Sequence, residues 1–320
     1  MRTRRLLHSF GVLGVLGVSM LVVAMASCGS SSDSSTTSVT PTVPDTTEVP
    51  TTVPDTTMPD TTMPDTTVPD TTVPDTTVPD TTIPAADIDV LVYFLVDEVL
   101  HVEGRAVTEA TPREALIALL DGPTAAELDA GVVTLIPDGT ELLNVEVVGD
   151  AATVDLSSAF ESGGGSLSMI GRVAQIVFTV TQFDGIETVS FRLDGELITE
   201  LGGEGIGVDA VQRLDNEYVL PFILPETPWP GQTVSQPIQV TGLSNVFEAQ
   251  VNYEVFGPDG VILVEGYFMA TSGTGTWGTF DATLDPLPAG TTGEVTVRMF
   301  EVSAENGDHV NVVDVTVQLA

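Results

Sequence analysis

Histidine is the side chain that most often transfers protons in catalysis near neutral pH, so the histidines come first. Three are present, and His8 lies in an amino-terminal segment that we expect to be removed. His101 lies in a Val-rich stretch and His309 follows a turn, in different predicted domains. Gly-X-Ser-X-Gly, His-Glu-X-X-His and phosphate-loop motifs are absent from the sequence. We therefore expect no catalytic residues, no cofactor and no enzymatic activity.

Carboxylates are the most abundant reactive groups. The sequence has 46 Asp and Glu against nine basic residues, all of them Arg, for a formal net charge of −37. Such a surface repels a phosphate backbone, which argues against nucleic acid as a partner. Nothing in the sequence selects one carboxylate pair at glycosidase spacing, so a carboxylate-only glycan hydrolase is the weakest hypothesis. The Asp-Gly pairs lack the ligand spacing of calcium loops and are typical of hairpin turns, so we expect no metal site.

The amino terminus has the organisation of a secretory signal. Three Arg within the first five residues precede an uncharged run over residues 10–26, which is short and glycine-containing for a spanning helix. The run leads into Met25, Ala26, Ser27 and Cys28, which resemble a bacterial lipobox. The resemblance implies that the signal peptidase recognises Met25, Ala26 and Ser27 and cleaves before Cys28. We therefore predict that the first 27 residues are a lipoprotein signal peptide.

Cys28 is the only cysteine of the chain, so it can form neither an intramolecular disulfide nor a Cys-rich zinc site. The alternative to lipidation is an incidental small apolar residue. A diacylglyceryl group would supply two acyl chains, which hold a protein stably at a membrane at about 0.8 kcal/mol per buried methylene. We expect an exported protein, anchored by this group to the outer face of the cytoplasmic membrane and extending into the cell wall.

Residues 28–86 have the composition of a disordered stalk. The pentad Pro-Asp-Thr-Thr followed by Val, Met or Ile repeats over residues 54–84. A unit this short and polar builds no continuous apolar face, and Pro and mutually repelling Asp favour an extended chain. At about 3.1 Å per residue the segment spans at most roughly 180 Å. We interpret it as a passive spacer, and its Thr pairs beside Pro leave O-glycosylation open.

A mixed α/β pattern starts at residue 87. The predicted elements are a strand over 89–96, a helix that starts at the capping box 111–114 and stops at Gly122-Pro123, a hairpin with arms 143–147 and 152–156, and a strand over 188–193. The first strand is a nearly continuous apolar run, which is typical of a strand covered on both faces. Residues 167–180 carry a helical apolar stripe and also a β-branched run over 176–181. We expect a helix there because the stripe is long.

The hydrophobic period becomes two after a proline-rich boundary near residue 220. Residues 246–255 alternate, with one face formed by Phe247, Ala249, Val251, Tyr253 and Val255. Residues 295–299 and 313–317 alternate likewise, and turn signals separate about seven strands in 100 residues. That count is typical of an immunoglobulin-like sandwich. Without a disulfide, its core must be held by apolar packing alone.

Four blocks in the α/β segment carry a resemblance to a known family. They are Ala-Leu-Ile-Ala-Leu-Leu-Asp-Gly-Pro-Thr at 115–124, Ile-Pro-Asp-Gly-Thr at 136–140, Ala-Thr-Val-Asp-Leu-Ser at 152–157 and Thr-Val-Thr-Gln-Phe at 179–183. In this order and spacing, residues 88–218 resemble the GerMN domain of the sporulation and spore germination family. The resemblance implies an α/β module of exported, membrane-tethered bacterial proteins that works by protein contact in envelope assemblies.

Blocks in the second half carry a further resemblance. They are Gln-Pro-Ile-Gln-Val-Thr-Gly at 236–242, Val-Phe-Glu at 246–248, Gly-Thr-Trp-Gly-Thr-Phe at 275–280 and Ser-Ala-Glu-Asn-Gly at 303–307. They resemble the immunoglobulin-like domain of bacterial spore germination, which often follows a GerMN domain. The order of the two domains therefore strengthens both resemblances.

We predict a GerMN-like α+β domain over residues 87–219 and an all-β immunoglobulin-like sandwich over 220–320. The favoured function is non-enzymatic contact with other envelope proteins, in a sporulation or germination type assembly or a cell-wall-associated one. The alternative is a module that binds peptidoglycan or another wall glycan. Its candidate contact is Trp229, which lies between two prolines, whereas Trp277 lies in an alternating segment and is expected to be structural.

Overall fold

The computed structural model describes residues 88–203 and 205–320. The predicted signal peptide, the lipobox with Cys28 and the predicted stalk lie outside the described residues. All described residues belong to one unit of tertiary contacts. No helix within these two ranges combines the length and the apolar character of a membrane span.

The amino-terminal half is mixed α/β. Its strands are β1 (Ile88–Val96), β2 (Val99–Val107), β3 (Leu142–Val148), β4 (Ala151–Leu156), β5 (Thr188–Leu193), β6 (Glu196–Ile198), β7 (Glu200–Leu201) and β8 (Ile206–Gly207). Its helices are α1 (Pro112–Leu120), α2 (Ala125–Asp129) and α3 (Ser166–Val180), with 3-10 segments at Ser158–Glu161 and Arg213–Val219. The start of α1 is as predicted, because the Thr111 hydroxyl accepts a hydrogen bond from the backbone N–H of Glu114 at 3.2 Å.

Two sheets and the helices enclose the core of this half. β1 and β2 form an antiparallel hairpin, and a second sheet has the strand order β3-β4-β5-β6. β3 and β4 form the predicted hairpin, whereas β5 lies parallel to β4 and α3 is the crossover between them. The core contains buried side chains from both sheets and from α1 and α3, among them Val92, Phe94, Leu116, Val154, Ile176 and Phe191.

α3 is the helix that the apolar stripe predicted, and the strand alternative for residues 176–181 is wrong. Eleven of its fifteen residues are buried. A helix that is covered on most sides can hold β-branched residues on several faces, because tertiary burial outweighs their small cost in helix propensity. The conflict between period and propensity in the sequence therefore reflects the central position of α3.

The carboxy-terminal half is a β-sandwich. Its strands are β9 (Ile223–Thr227), β10 (Thr233–Val234), β11 (Gln239–Ser244), β12 (Gln250–Phe256), β13 (Ile262–Met269), β14 (Gly278–Thr283), β15 (Gly293–Val302) and β16 (His309–Leu319). One sheet has the order β10-β16-β15-β12-β13 and the other β14-β11-β9. Alternating residues of both sheets form one apolar core, which includes Val240, Val251, Phe280, Val297 and Val317. The predicted fold class is confirmed in both halves.

The predicted strand over residues 246–255 is wrong in its first four positions. Phe247–Ala249 is a 3-10 segment, and Glu248 and Ala249 have φ values of +55° and +59°. This left-handed stretch lies against Gly273, where a Cβ would be 2.4 Å from the carbonyl oxygen of Val246. The chain therefore turns before β12 begins, and Phe247 is 48% exposed instead of facing the core.

Candidate functional site

β1 serves two cores at once, which explains its nearly continuous apolar sequence. Val92 and Phe94 face the α/β core, whereas Tyr93 and Leu95 face a separate apolar cluster shared with the sandwich. We call this second cluster the junction. Its buried members are Tyr93, Leu95, Leu100, Val102, Ala174, Phe178, Val219, Leu220, Leu224 and Leu243. The two halves of the protein thus share a continuous apolar contact.

Both tryptophans pack against the junction. The Trp229 ring lies over Gly104 of β2, where a Cβ would be 2.0 Å from the indole Nε1. Trp229 is half-buried in this position, so the side chain expected to contact a glycan is engaged with the protein itself. Trp277, which was expected in a strand, immediately precedes β14 and is also half-buried. Gly104 is required here because the indole occupies the space of a side chain.

A cluster of polar and charged side chains links the two halves of the protein at the edge of the junction. Arg213 donates to Glu226 Oε1 at 2.6 Å and to Thr181 Oγ1 at 2.8 Å. The Tyr93 hydroxyl donates to the same Glu226 oxygen. The Arg213 guanidinium also lies 4.7 Å from the centre of the Phe178 ring, within cation–π distance. Glu226 belongs to β9 of the sandwich and the other four residues to the α/β half, so one carboxylate ties the halves together.

Burial raises the pKa of the Tyr93 hydroxyl well above its ordinary value of 10.0, and the charge of Glu226 raises it further. Tyr93 therefore remains a neutral donor at physiological pH. Burial alone would lower the pKa of Arg213, but its interactions with the Tyr93 and Glu226 oxygens outweigh burial, and the pKa is raised. The arrangement thus holds a cation and a neutral hydroxyl on one carboxylate.

A cleft of about 230 Å³ opens beside the junction. Its walls are the tip of the β1–β2 hairpin, β9 with the segments on either side of it, and β16. The residues that give the cleft its character are Pro221, Pro225, Pro228, Pro230, Leu100 and Val313. Proline fixes its own φ, so these walls are largely preformed, and they are apolar. Asp97, His101 and Asp314 supply polar groups to the lining.

The two histidines of the described chain lie in different surroundings. His101 Nε2 lies 3.1 Å from Glu103 Oε1, beside the junction cleft. The His309 ring stacks on Phe300 in the sandwich, with ring centroids 3.7 Å apart. The described ranges contain no group of three or more His, Cys, Asp or Glu that could hold a metal ion. Neither histidine is placed next to a nucleophile and a second orienting group, as a triad requires.

The sequence did not predict the contacts among Tyr93, Arg213 and Glu226. Tyr93 and Glu226 are 133 residues apart, and Arg213 and Tyr93 are 120 apart. Single charged or hydroxyl residues at such separations carry no periodic signal. The only signal in the sequence was the apolar character of both faces of β1. It predicted that a second layer covers the strand, but not which segment of the chain forms that layer.

The two halves match two family descriptions. Residues 91–199 match the family described as sporulation and spore germination, and residues 223–308 match the immunoglobulin-like domain of bacterial spore germination. Both resemblances inferred from the sequence are confirmed. No curated protein matches the chain at a significant level.

Solved structures of a sporulation protein are among those similar to this chain. The first GerMN domain of the sporulation protein GerM from Bacillus subtilis is 24% identical, over 40% of this chain and 99% of that chain, with a TM-score of 0.34. The tandem GerMN domains of the same protein are 16% identical, over 62% of each chain, with a TM-score of 0.36.

Proposed function

We propose that this protein, which joins a GerMN-type domain to the immunoglobulin-like domain of bacterial spore germination, is a lipid-anchored envelope protein that binds another envelope protein without catalysing a reaction. The observation that carries the proposal is the junction cleft, to which both domains contribute. The expected occupant is an extended apolar segment of the partner that carries a Lys or Arg at its edge.

The chemistry of the cleft supports this occupant. Four prolines restrict its walls, so little conformational entropy is lost when a partner binds. Apolar side chains such as Leu100 and Val313 favour an apolar segment. Asp97 adds negative charge to the lining, which complements a basic side chain beside that segment, whereas the charge of Asp314 is balanced by Arg298.

The contacts that hold the two domains together at the junction support a binding surface to which both domains contribute. The cleft exists only while the β1–β2 hairpin and β16 keep their relative position. Arg213 and Tyr93 hold Glu226, and the apolar cluster around them is continuous across the two domains. A partner that fits the cleft therefore binds a surface formed by both domains together, and neither domain alone offers that surface.

A non-enzymatic role is supported by the surroundings of the titratable groups. His101 is beside Glu103 and His309 is stacked on Phe300, in separate parts of the described chain. Neither family description names a reaction. Contact with a partner remains the role that these features favour.

The proposal that the protein is anchored to the membrane rests on its amino-terminal sequence. Cys28 follows a secretory run and would carry the diacylglyceryl group. The Pro-Asp-Thr-Thr segment would then separate the two domains from the bilayer and display the cleft within the wall. This position places the cleft within reach of envelope proteins.

A second surface favours the glycan alternative at a residue other than Trp229. Tyr267 on β13 is 64% exposed and lies at a shallow recess with Asn252 of β12 and Glu265. An exposed aromatic ring offers a sugar an apolar platform, and amide and carboxylate groups bind hydroxyls. Sedimentation of the full chain with purified wall sacculi separates the classes. Sedimentation lost in Tyr267→Ala would support the glycan alternative, and release of soluble fragments would support a hydrolase.

The test of the favoured function is crosslinking in intact cells followed by isolation of the full chain. Val312 lines the cleft and is 44% exposed, so Val312→Glu adds a charge to the cleft without disturbing a core. Val261, which is 56% exposed elsewhere on the sandwich, gives the matched control Val261→Glu. We expect a specific crosslinked membrane protein with the unaltered chain and with Val261→Glu, and a loss of at least tenfold with Val312→Glu. Equal yields from both variants would contradict the proposal.

A further inference from the structure

A second apolar recess, which we call the tip recess, lies at the same hairpin tip as the cleft. Its volume is about 290 Å³, and its lining consists of Leu95, Glu98, Val133, Leu135, Leu167 and Ser168. The backbone of Leu95 exchanges two hydrogen bonds of 2.9 and 2.8 Å with Val133, on the side of β1 that faces away from β2. The cleft instead lies along β2, where Val99, Leu100 and His101 line it. The cleft and the tip recess therefore flank the hairpin tip, one on each side.

The lining of the tip recess offers an apolar contact that the fold itself does not use. Leu167 and Val133 are each 43% exposed, and Glu98 is the only charged residue of the lining. A partner side chain that covers Leu167 and Val133 removes their apolar surface from water, which favours binding. The tip recess therefore suits an apolar side chain, as the cleft does.

The turn between the cleft and the tip recess carries two carboxylates. Asp97 lines the cleft and Glu98 lines the tip recess, and both side chains are exposed. Within residues 88–203 and 205–320, neither carboxylate has a hydrogen-bond or ion-pair partner. No Lys or Arg is among the described residues that line the two cavities. The hairpin tip therefore presents uncompensated negative charge between two apolar cavities, which complements a cation.

The turn geometry does not account for these acids. Val96 faces Val99 across a turn of two residues, and Asp97 and Glu98 have φ values of +50° and +68°. A two-residue turn with both φ values positive favours Asn followed by Gly, because few side chains tolerate this conformation. Glu98 at the second position is thus unfavourable for the turn, and its carboxylate has no role in the fold.

We propose that the partner of the cleft binds across the hairpin tip, with one apolar side chain in the cleft, a second in the tip recess, and a Lys or Arg between them beside Asp97 and Glu98. This inference rests on the proposed function, because it takes the cleft as one half of the site. Two strands, each about 5 Å wide, separate the cavities by about 10 Å, which an extended segment spans in three or four residues at about 3.3 Å per residue. The partner segment therefore has two apolar residues three or four positions apart, with a basic residue between them.

Fluorescence anisotropy of the purified full chain in non-ionic detergent tests this chemistry with labelled synthetic peptides. The first peptide has the core Leu-Thr-Arg-Thr-Leu between Gly-Ser ends. One control replaces Arg with Glu, and two further controls each replace one Leu with Ala. We expect saturable binding of the Arg peptide, weaker at high salt, and at least tenfold weaker binding of every control. No saturation by the Arg peptide up to about 1 mM, or equal affinity for the Arg and Glu peptides, would overturn the proposal.

Two variants of the chain separate the tip recess from the cleft. Leu167→Glu adds a charge to the tip recess alone, in the first turn of α3, where an acidic side chain is compatible with the helix dipole. Val312→Glu adds a charge to the cleft, and Leu128→Glu, at a 55% exposed position of α2 outside both cavities, is the control. We expect at least tenfold weaker binding of the Arg peptide by the first two variants and unchanged binding by Leu128→Glu. Loss in Val312→Glu without loss in Leu167→Glu would overturn this inference and leave the cleft as the binding site of the proposed function.

The double variant Asp97→Asn with Glu98→Gly tests the two carboxylates. It installs the residues that the turn geometry favours, so we expect a higher midpoint of urea unfolding than that of the unaltered chain. Binding of the Arg peptide should nevertheless weaken at least tenfold and lose its dependence on salt. A folded double variant that binds the Arg peptide as tightly as the unaltered chain would overturn the proposed contact between the basic residue and the hairpin tip.

Discussion

Arg213 donates to Glu226 Oε1 at 2.6 Å, and this contact joins the GerMN-type domain to the immunoglobulin-like domain. Both side chains are largely buried, with 21% and 18% of their surface exposed. A partly buried ion pair with further hydrogen bonds fixes geometry more effectively than a surface pair does. The relative position of the domains, and with it the cleft, therefore depends on a few residues that can be altered singly.

Glu226→Gln should destabilise the junction by about 2 kcal/mol, because it leaves the Arg213 cation without its counter-ion. Urea unfolding followed by tryptophan fluorescence measures this, since Trp229 and Trp277 both pack against the junction. Asp314→Asn is the matched control. It removes the partner of Arg298 in a more exposed ion pair, where we expect a loss below about 1 kcal/mol. Equal losses in the two variants would show that Glu226 has no special role.

Gly104→Ala should destabilise the protein by about 1–3 kcal/mol, because the new methyl group would overlap the Trp229 ring. The ring must move, so we also expect a shift in the tryptophan emission maximum. Gly207→Ala is the control, because a Cβ there meets no atom within 4 Å. If Gly104→Ala matches the control in both measurements, the packing of Trp229 on β2 is not as described.

Stability should fall as the pH rises above about 10, and Tyr93 should cause part of that fall. Its pKa is raised in the folded protein, so above 10.0 the unfolded chain loses the proton while the folded chain keeps it. The stabilisation is fully present below that pH and is lost as the pH rises towards the folded-state pKa. Absorbance titration should show Tyr93 as a late step that Tyr93→Phe removes. Tyr93→Phe should also flatten the loss of stability in this alkaline range.

Arg172→Met should destabilise the GerMN-type domain by about 3 kcal/mol or more. Arg172 is 2% exposed and donates to the carbonyl oxygens of Phe160 at 2.6 Å and Gly163 at 3.0 Å, and to Ser168 Oγ at 2.8 Å. Removing the guanidinium leaves the buried carbonyl of Phe160 and the half-buried hydroxyl of Ser168 without this donor. Thermal unfolding measures the loss, and Arg113→Met on the exposed face of α1 should change stability by less than about 0.5 kcal/mol.

Cys28→Ala should abolish labelling by radioactive palmitate and release the chain from membranes, because the acyl chains would be attached to that sulfur. The prediction concerns the anchor alone and is independent of the cleft. A labelled, membrane-bound Cys28→Ala chain would contradict lipidation at this residue.

Elements fixed by local signals could be predicted from the sequence. The Thr111 cap and the following apolar stripe determine α1, and the turn at Gly149-Asp150 determines the β3–β4 hairpin. In α3 the helical period of the apolar residues predicted the helix correctly, although its β-branched residues favour a strand. Burial on most sides of the helix outweighs that propensity.

Features that depend on distant contacts could not be predicted. Phe247 continues an alternating pattern, yet the chain turns there, where the backbone of Val246 and Ala249 lies against the distant Gly273. The position of Trp229 between two prolines suggested that its side chain is exposed, but the ring packs over Gly104. The Arg213 to Glu226 contact follows from the packing of two domains, which no spacing within either domain encodes.

A photoreactive amino acid at position 312, inside the cleft, tests partner binding most directly in living cells. We expect light to attach the full chain to one envelope protein, at a single apolar segment with a neighbouring Lys or Arg. The same probe at the control position 261 should leave that protein free. Attachment from position 261 as readily as from 312, or attachment to glycan alone, would contradict partner binding at the cleft.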